Sequence, residues 1–219
     1  MNEAVSQTSH AANPTRLLVF GFGGHARSVA DVALACGIVE MVFVDANARQ
    51  GEHFFGHPVV AVWDQALPEG WHAFSVASDA VARRDHVAFF AQSRWPVATL
   101  TSRFATVGVG SSVGFGSLVA HHAHVGPSTA IGIGCIVNSA AVVEHDCTIG
   151  EFTHISVNAT IAGRTKVGSF CMVGAGAVVI DGLEVADQVT IGAGAVVHRS
   201  IREPGVYVGN PARKINRKE

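Results

Sequence analysis

Charge is scarce in this chain of 219 residues. Asp, Glu, Lys and Arg together make up 15 %, and the formal net charge is -2. Such a balance favours neither a nucleic-acid partner nor an anionic membrane surface. Aromatic residues are few, 7 % with a single tyrosine, and no apolar run reaches the length of a bilayer span. Residues 1–15 contain no lysine or arginine and no apolar block, which argues against a signal peptide and predicts a flexible lead-in. Cysteine is limited to Cys36, Cys135, Cys147 and Cys171. The last three fall on one position of a repeat, where buried space-filling suits them better than nucleophilic or disulfide roles. Free thiols point to a reducing, cytoplasmic setting. What the chain has in quantity is apolar residues, 48 %, enough to build a core and to argue against disorder.

Those residues are not scattered. From Val107 to Val197 every sixth residue is Val or Ile, sixteen times without a slip. Two positions earlier the residue is nearly always small, as at Ser117, Ala123, Cys135, Ala141, Cys147 and Thr153. Glycine often follows the aliphatic, as at Gly126, Gly132, Gly150 and Gly168. A short fixed period marks a solenoid, and β-branched residues at the repeat position favour strand over helix. Each hexapeptide then supplies one short strand and a turn, with the aliphatic inward and the glycine relaxing the turn. A β-sandwich is the rival, but ordinary strands do not hold one phase for so long. The pattern resembles the hexapeptide-repeat acyltransferases. That resemblance implies a left-handed parallel β-helix of triangular section, although general crossover rules favour the right hand. Three hexapeptides would make one coil, so residues eighteen apart should stack.

Upstream of the repeat, RLLVFG (16–21) reads as a buried strand, followed by the turn Gly21-Phe22-Gly23-Gly24-His25-Ala26 and a helical pattern ending at Gly37. A second strand ends at Asp45. This βαβ start matches the spacing of a dinucleotide fingerprint, with Asp45 where a ribose-binding acid would stand, so spacing alone leaves NAD open. The rest of this half is short: a β stretch near 58–61, a helix after Trp63, a strand at 72–78 and a helix at 80–93. Half of a dinucleotide fold suits a mononucleotide or its sugar-linked form better. The expected organisation is a lead-in (1–15), a small Rossmann-like α/β domain (16–100), the β-helix (101–200) and a tail (201–219). In the tail, Arg213 and Lys214 either meet the phosphates of coenzyme A or form a solvated basic end.

Chemistry concentrates where the repeat stops being bland, at Asn138-Ser139-Ala140-Ala141-Val142-Val143-Glu144-His145-Asp146-Cys147. In this register Val143 and Cys147 point inward and His145 lies toward a corner. A histidine beside a carboxylate suits general-base work, since imidazole titrates near neutrality and the acid fixes its tautomer. The bland alternative is an exposed polar corner. Gly163, eighteen residues after His145, stacks over it and offers an N–H to an oxyanion. Arg164 stacks over Asp146 and offers that acid a competing partner. His121, His122 and His124 invite a zinc reading, but adjacent histidines converge poorly on one ion, and a solvated or interface role is preferred.

The His145 segment also resembles bacterial N-acetyltransferases acting on nucleotide-linked 4-amino sugars, such as those making bacillosamine or perosamine derivatives. The likeness runs from Arg16 to Ile215. It implies acetyl-CoA as co-substrate, no metal, and a homotrimer with sites between subunits. It makes His145 the base, supported by Asp146. It places His154 at the thioester, the backbone of Gly163, Ala175 and Ala193 along the coenzyme groove, and Gly23, Gly24, His25, Asp45 and Ser78 around the sugar nucleotide. Ala46 and Ser78 depart from the family pattern, which leaves UDP against GDP open. The implied activity is N-acetylation of a nucleotide-linked 4-amino-4,6-dideoxy sugar for surface glycan synthesis. The alternatives are sugar O-acetylation, a zinc-dependent carbonic-anhydrase-like lyase, and a non-catalytic sugar-nucleotide sensor.

Overall fold

The structure, a computed structural model, describes residues 14–215. The expected lead-in over 1–15 lies almost wholly outside them. The α/β part opens with β1 (Arg16–Phe20), α1 (Gly24–Ala35) and β2 (Glu40–Val44). A small hairpin, β3 (His53–Phe54) and β4 (His57–Val60), is followed by β5 (Trp71–Ser75) and α2 (Ala80–Gln92). The sheet order is β3-β4-β2-β1-β5, parallel except for the hairpin. Alternation along β1 divides the packing. Leu17 and Val19 face α1, while Leu18 and Phe20 face Trp63, Leu67 and Trp95. The helix expected after Trp63 does not form; residues 61–70 are irregular. Only four residues separate Trp63 from Pro68, and Gly70 follows, too little chain for a helical nucleus to repay its entropy.

The solenoid follows the eighteen-residue stacking. Val125 pairs in parallel with Val107 and Val143, Ile131 with Val113 and Ile149, and Val137 with Val119 and Ile155. Three parallel sheets result, each strand hydrogen-bonded to the coils on either side. The aliphatic column is buried from Val119 to Val197, all at 4 % exposure or less. Val107 departs from the expected inward register at 43 % exposed, because it lies at the end of the stack with no coil beneath it.

Two roles differ from expectation. The small residue is more than a filler. Ser117, Thr129, Thr153 and Thr165 donate their hydroxyls to carbonyls fifteen residues ahead, and Cys135, Cys147 and Cys171 donate their thiols in the same way. These three cysteines are buried and free. The glycine after the aliphatic does not supply the turn. The left-handed backbone occurs two residues later, at corners that include Asp146 (φ 58°), Phe152 (56°), Arg164 (59°) and Phe170 (57°). Gly150 is small for another reason. A Cβ there would lie 2.5 Å from Gly168 C and Ser169 N of the next coil.

The two parts share a core. Val97 bridges to Ala73 of β5, and three residues later Leu100 joins the solenoid ladder beside Leu118. Leu118, Ala120 and Ile136 pack with α1 and the inner face of the sheet. At the other end the tail closes the stack. Gly205–Val208 adds in parallel beside Val189–Ile191, and Arg213–Ile215 then folds back antiparallel. Ile201 bridges to Val185.

Gly150→Ala should lower unfolding free energy by about 1–3 kcal/mol, the usual cost of forcing an atom into a packed region. Gly176→Ala, at φ +65° with nothing within 4 Å of an added Cβ, should cost about 1 kcal/mol through backbone conformation alone. Denaturant titrations of the two variants compare the costs, and a larger loss at Gly176 would refute the close-approach explanation.

Candidate functional site

Two clusters emerge, one at a corner of the solenoid and one on the outer side of a strand of another face. The first is at the corner after Val143. His145 Nδ1 lies 2.8 Å from Asp146 Oδ2, with both side chains about half exposed. The carboxylate accepts the Nδ1 proton, which leaves Nε2 with its lone pair free. Asp146 is held at this corner in the left-handed conformation that Asp tolerates better than most residues. Gly163 is buried against the imidazole, and a Cβ on it would lie 2.6 Å from His145 Nε2. Among the described residues the Gly163 N–H has no hydrogen-bond partner. The competing pair does not form: Arg164 reaches Asp181 at 2.7 Å, and Asp146 stays with His145.

The second cluster lies where α1 meets the solenoid. His154 is 6 % exposed and faces His25 of the first turn of α1, ring centroids 5.9 Å apart. Asn138, one coil below, settles the tautomer. Its Oδ1 accepts from the Ser139 N–H at 2.8 Å, so its Nδ2 donates to His154 Nε2 at 3.2 Å. His154 therefore carries its proton on Nδ1, a buried donor with no partner. Burial, then the charges of His25 and Arg83, push the His154 pKa down to about 3, and burial and Arg83 lower that of His25. His154 is thus a neutral hydrogen-bond donor at physiological pH, where a base would need a free lone pair.

The glycine turn opens beside this cluster. α1 starts at Gly24 with no side-chain cap, and neither Gly23 nor Gly24 has anything within 4 Å of an added Cβ. Their smallness therefore keeps space open and leaves the helix N-terminus bare, an arrangement suited to phosphate. Asp45 accepts the Phe22 N–H at 2.8 Å and the Asn47 N–H at 2.9 Å. The Asn47 bond above all holds its carboxyl below the usual range. Asp45 thus shapes the turn as well as facing it. It borders a recess of about 180 Å³ shared with Phe22, Arg27, Asn47, Arg49 and Glu52. Arg27, whose guanidinium lies 4.8 Å from the Phe54 ring centre, escaped the sequence reading because it looks like any exposed helical arginine. Ser78 is exposed just past β5.

Ala175 and Ala193 stack one coil apart on a third stretch, the corner after Val173 and Ile191. Gly174, Gly176, Gly192 and Gly194 flank them, so two coils present no side chain larger than a methyl group. His145 lies across a full face from this edge. His145 follows Val142–Val143 of one sheet and Ala175 follows Met172–Val173 of another, so the two stand at opposite ends of the face between them. The histidine cluster has other partners: His121 meets Ser102 at 2.6 Å and Asp31 at 3.2 Å, and His124 meets Thr106 at 2.6 Å. Among the described residues no group of three or more His, Cys, Asp or Glu could hold a metal ion. Lys214 pairs with Glu203 at 2.9 Å.

A stacked parallel solenoid carrying a solvent-facing His–Asp pair, joined to a parallel sheet with an open glycine turn, has the architecture of the left-handed β-helix acetyltransferases, and the comparisons bear this class out. Comparisons narrow the class. The PglD N-terminal domain family matches residues 16–88. The acetyltransferase domain of PglB from Neisseria gonorrhoeae FA1090 superposes with TM-score 0.87 at 32 % identity, covering 92 % of this chain and 100 % of that one. Its complex with acetyl coenzyme A gives 0.85 at 33 %, covering 93 % and 100 %. PerB from Caulobacter crescentus, in complex with CoA and GDP-perosamine, gives 0.81 at 28 %, covering 91 % and 97 %. Compared with curated protein sequences, the chain finds no match. The chain belongs to the hexapeptide-repeat nucleotide-sugar N-acetyltransferases.

Acid stability tests the state of His154. Between pH 6.5 and about 3 the unfolded chain binds a proton that the folded chain refuses, so stability should fall as pH drops through this window. At pH 5 this one group should cost about 2 kcal/mol relative to pH 7. Chemical denaturation at the two pH values, compared with His154→Gln, reads the difference; an equal loss in the variant would assign the effect elsewhere.

Proposed function

We propose that the chain transfers acetyl from acetyl-CoA to the 4-amino group of a nucleotide-linked 4-amino-4,6-dideoxy sugar. The observation that carries this reading is the division of labour between its two histidines: His145 has a free lone pair and a carboxylate behind it, and His154 offers a buried, unpartnered N–H. PerB in complex with CoA and GDP-perosamine, at 28 % identity, supports the substrate class.

In the proposed mechanism the diphosphate rests on the bare N-terminus of α1 at Gly23 and Gly24, beside His25 and Ser78, with Asp45 toward the nucleoside. Coenzyme A runs along the smooth edge at Ala175 and Ala193. His154 Nδ1–H donates to its thioester region. The neutral amine attacks the thioester carbonyl, a C–N bond forms and the C–S bond breaks. His145 Nε2 takes the amine proton, the Gly163 N–H meets the negative oxygen, and the proton passes to the departing thiolate, which leaves as free CoA thiol. Asp146 holds the imidazole in the required tautomer and steadies its positive form.

Because His145 and Ala175 lie on different edges of one chain, the site is proposed to form between copies, with His145 of one copy against the Ala175 edge and the His154 strand of the next. The face between them suits this. Val142, Thr160, Val178 and Val196 point outward in one uncharged, half-buried row, whereas the next face carries Lys166 and Glu184. A trimer closes such a set of contacts.

The substrate test follows free thiol while acetyl-CoA is offered with matched amino and hydroxy nucleotide sugars and with the free amino sugar. Turnover of the amino nucleotide sugar is expected. Turnover of the hydroxy form alone would make the enzyme an O-acetyltransferase. His145→Ala should retain the fold and lower kcat by roughly 10²–10⁴-fold, and Asp146→Asn by less. A folded His145→Ala protein with wild-type kcat would remove this histidine from the mechanism.

Light scattering should give a trimer, and Val178→Arg should yield monomers with little activity, since a charge buried without a partner costs several kcal/mol. A fully active Val178→Arg monomer would contradict the shared site.

A further inference from the structure

Arg83 of α2 is 1 % exposed, and among the described residues no carboxylate lies within ion-pair distance of it. Its guanidinium instead binds five backbone carbonyls. Nε donates to Gly134 O and Nη2 to Phe152 O, each at 2.6 Å. These two carbonyls are eighteen residues apart, on adjacent coils. Nη1 donates to Ala77 O at 2.7 Å, Ser78 O at 3.1 Å and Asp79 O at 3.4 Å. Burial pushes the pKa down to about 10, so the group remains charged at neutral pH.

A buried cation is costly to keep, and neutral carbonyls repay it less fully than a carboxylate would. Adhesion between α2 and the solenoid would be served as well by an apolar side chain of similar volume. What an apolar side chain lacks is direction. The planar guanidinium holds donors at fixed angles, so it fixes the distance and orientation between the groups it joins. Here it joins the loop after β5 to two coils of the solenoid. That loop starts from the carboxyl edge of the parallel sheet, where ligands of such sheets bind, and Ser78 and Asp79 are exposed to solvent. α2 itself is fixed at this point by Asp79, whose side chain caps it through the Ala82 N–H at 2.8 Å. The Arg83 charge also contributes to the lowered proton affinity of His25 and His154, so its field reaches the corner where phosphate would arrive.

We infer that Arg83 is a positioning residue for the acyl transfer: it sets the nucleotide-sugar loop at a fixed place on the solenoid, and so sets where the acceptor amine meets the thioester. This inference rests on the function proposed above. The loop holds the sugar nucleotide through residues whose other side is pinned from within. Slack of about 1 Å in that pinning is enough to cost up to 10²-fold in productive alignment.

The test compares full-length wild type, Arg83→Lys and Arg83→Met, with acetyl-CoA and the amino nucleotide sugar that the wild type acetylates. Lysine keeps the charge but offers one ammonium where two coils and a loop need bridging. Arg83→Lys should lower kcat about tenfold, raise KM for the nucleotide sugar and leave KM for acetyl-CoA within about twofold, with Arg83→Met worse in kcat by a further factor of about ten. Folding is checked by circular dichroism. A folded Arg83→Lys protein with unshifted kcat overturns the inference, as do equal shifts in both KM values. Failure of both variants to fold also overturns it, because Arg83 would then be a stability residue. Absence of turnover by the wild type sinks the proposed function and this inference with it; wild-type turnover with an unshifted Arg83→Lys sinks the inference alone.

Discussion

Coil by coil, strand donors of the solenoid are answered by carbonyls of the next coil. Gly126 N–H meets Val143 O, Glu144 N–H meets Ile161 O and Ala162 N–H meets Val179 O, all between 2.7 and 2.9 Å. Because the repeat is fixed in length, each coil inherits the position of the one before it. The hydroxyls and thiols of the small position reinforce the same ladder from within, so the interior is polar where the chain turns and apolar where it runs straight. A site built on such a frame gains its accuracy from the frame. His145 lies over Gly163 because one coil lies on another, and no local interaction needs to bring them together.

The two candidate histidines show how one residue type is divided by surroundings. His145 stands at a solvent-facing corner with a carboxylate partner and an open Nε2. His154 is enclosed beneath α1, kept neutral by burial and assigned its tautomer by Asn138. Exchanging their environments would exchange what they can do, since proton transfer needs access and a free lone pair, and hydrogen-bond donation to a carbonyl needs a dry, fixed N–H. The helix that shields His154 belongs to the α/β half, so joining the two halves sets the state of this solenoid histidine.

Much of this was legible in the sequence because periodicity is a physical signal. Sixteen aliphatics in one phase can be buried together in few ways, and that gave the coil stacking and the place of Gly163 over His145. The βαβ start was readable from its glycine turn. Other features left no such trace. Arg83 sits in a helix with Arg84 beside it, and nothing in the spacing says that one is buried and the other exposed. The glycines after the aliphatics looked like turn formers, yet the turn falls on residues such as Phe152 and Asp146, which accept a left-handed backbone because both neighbouring coils hold them there. The helix expected after Trp63 fell to chain length, which a propensity reading underweights. His154 was placed by family likeness, and its neutrality depends on α1, which is distant in sequence.

A parallel ladder of this kind has no intrinsic end. Its last coil would offer an unpaired edge in the same direction as every edge before it, and a second molecule could continue it. The tail described above removes that invitation. After Gly205–Val208 extends the ladder once more, Arg213–Ile215 reverses direction, so the terminal strand no longer matches the incoming end of another solenoid. The Val196 backbone is closed off by Gly209 and Ala212, and Val185 by Ile201. The closing segment therefore ends this sheet on a strand of opposite polarity, so the parallel, in-register pairing that builds every coil has no template there.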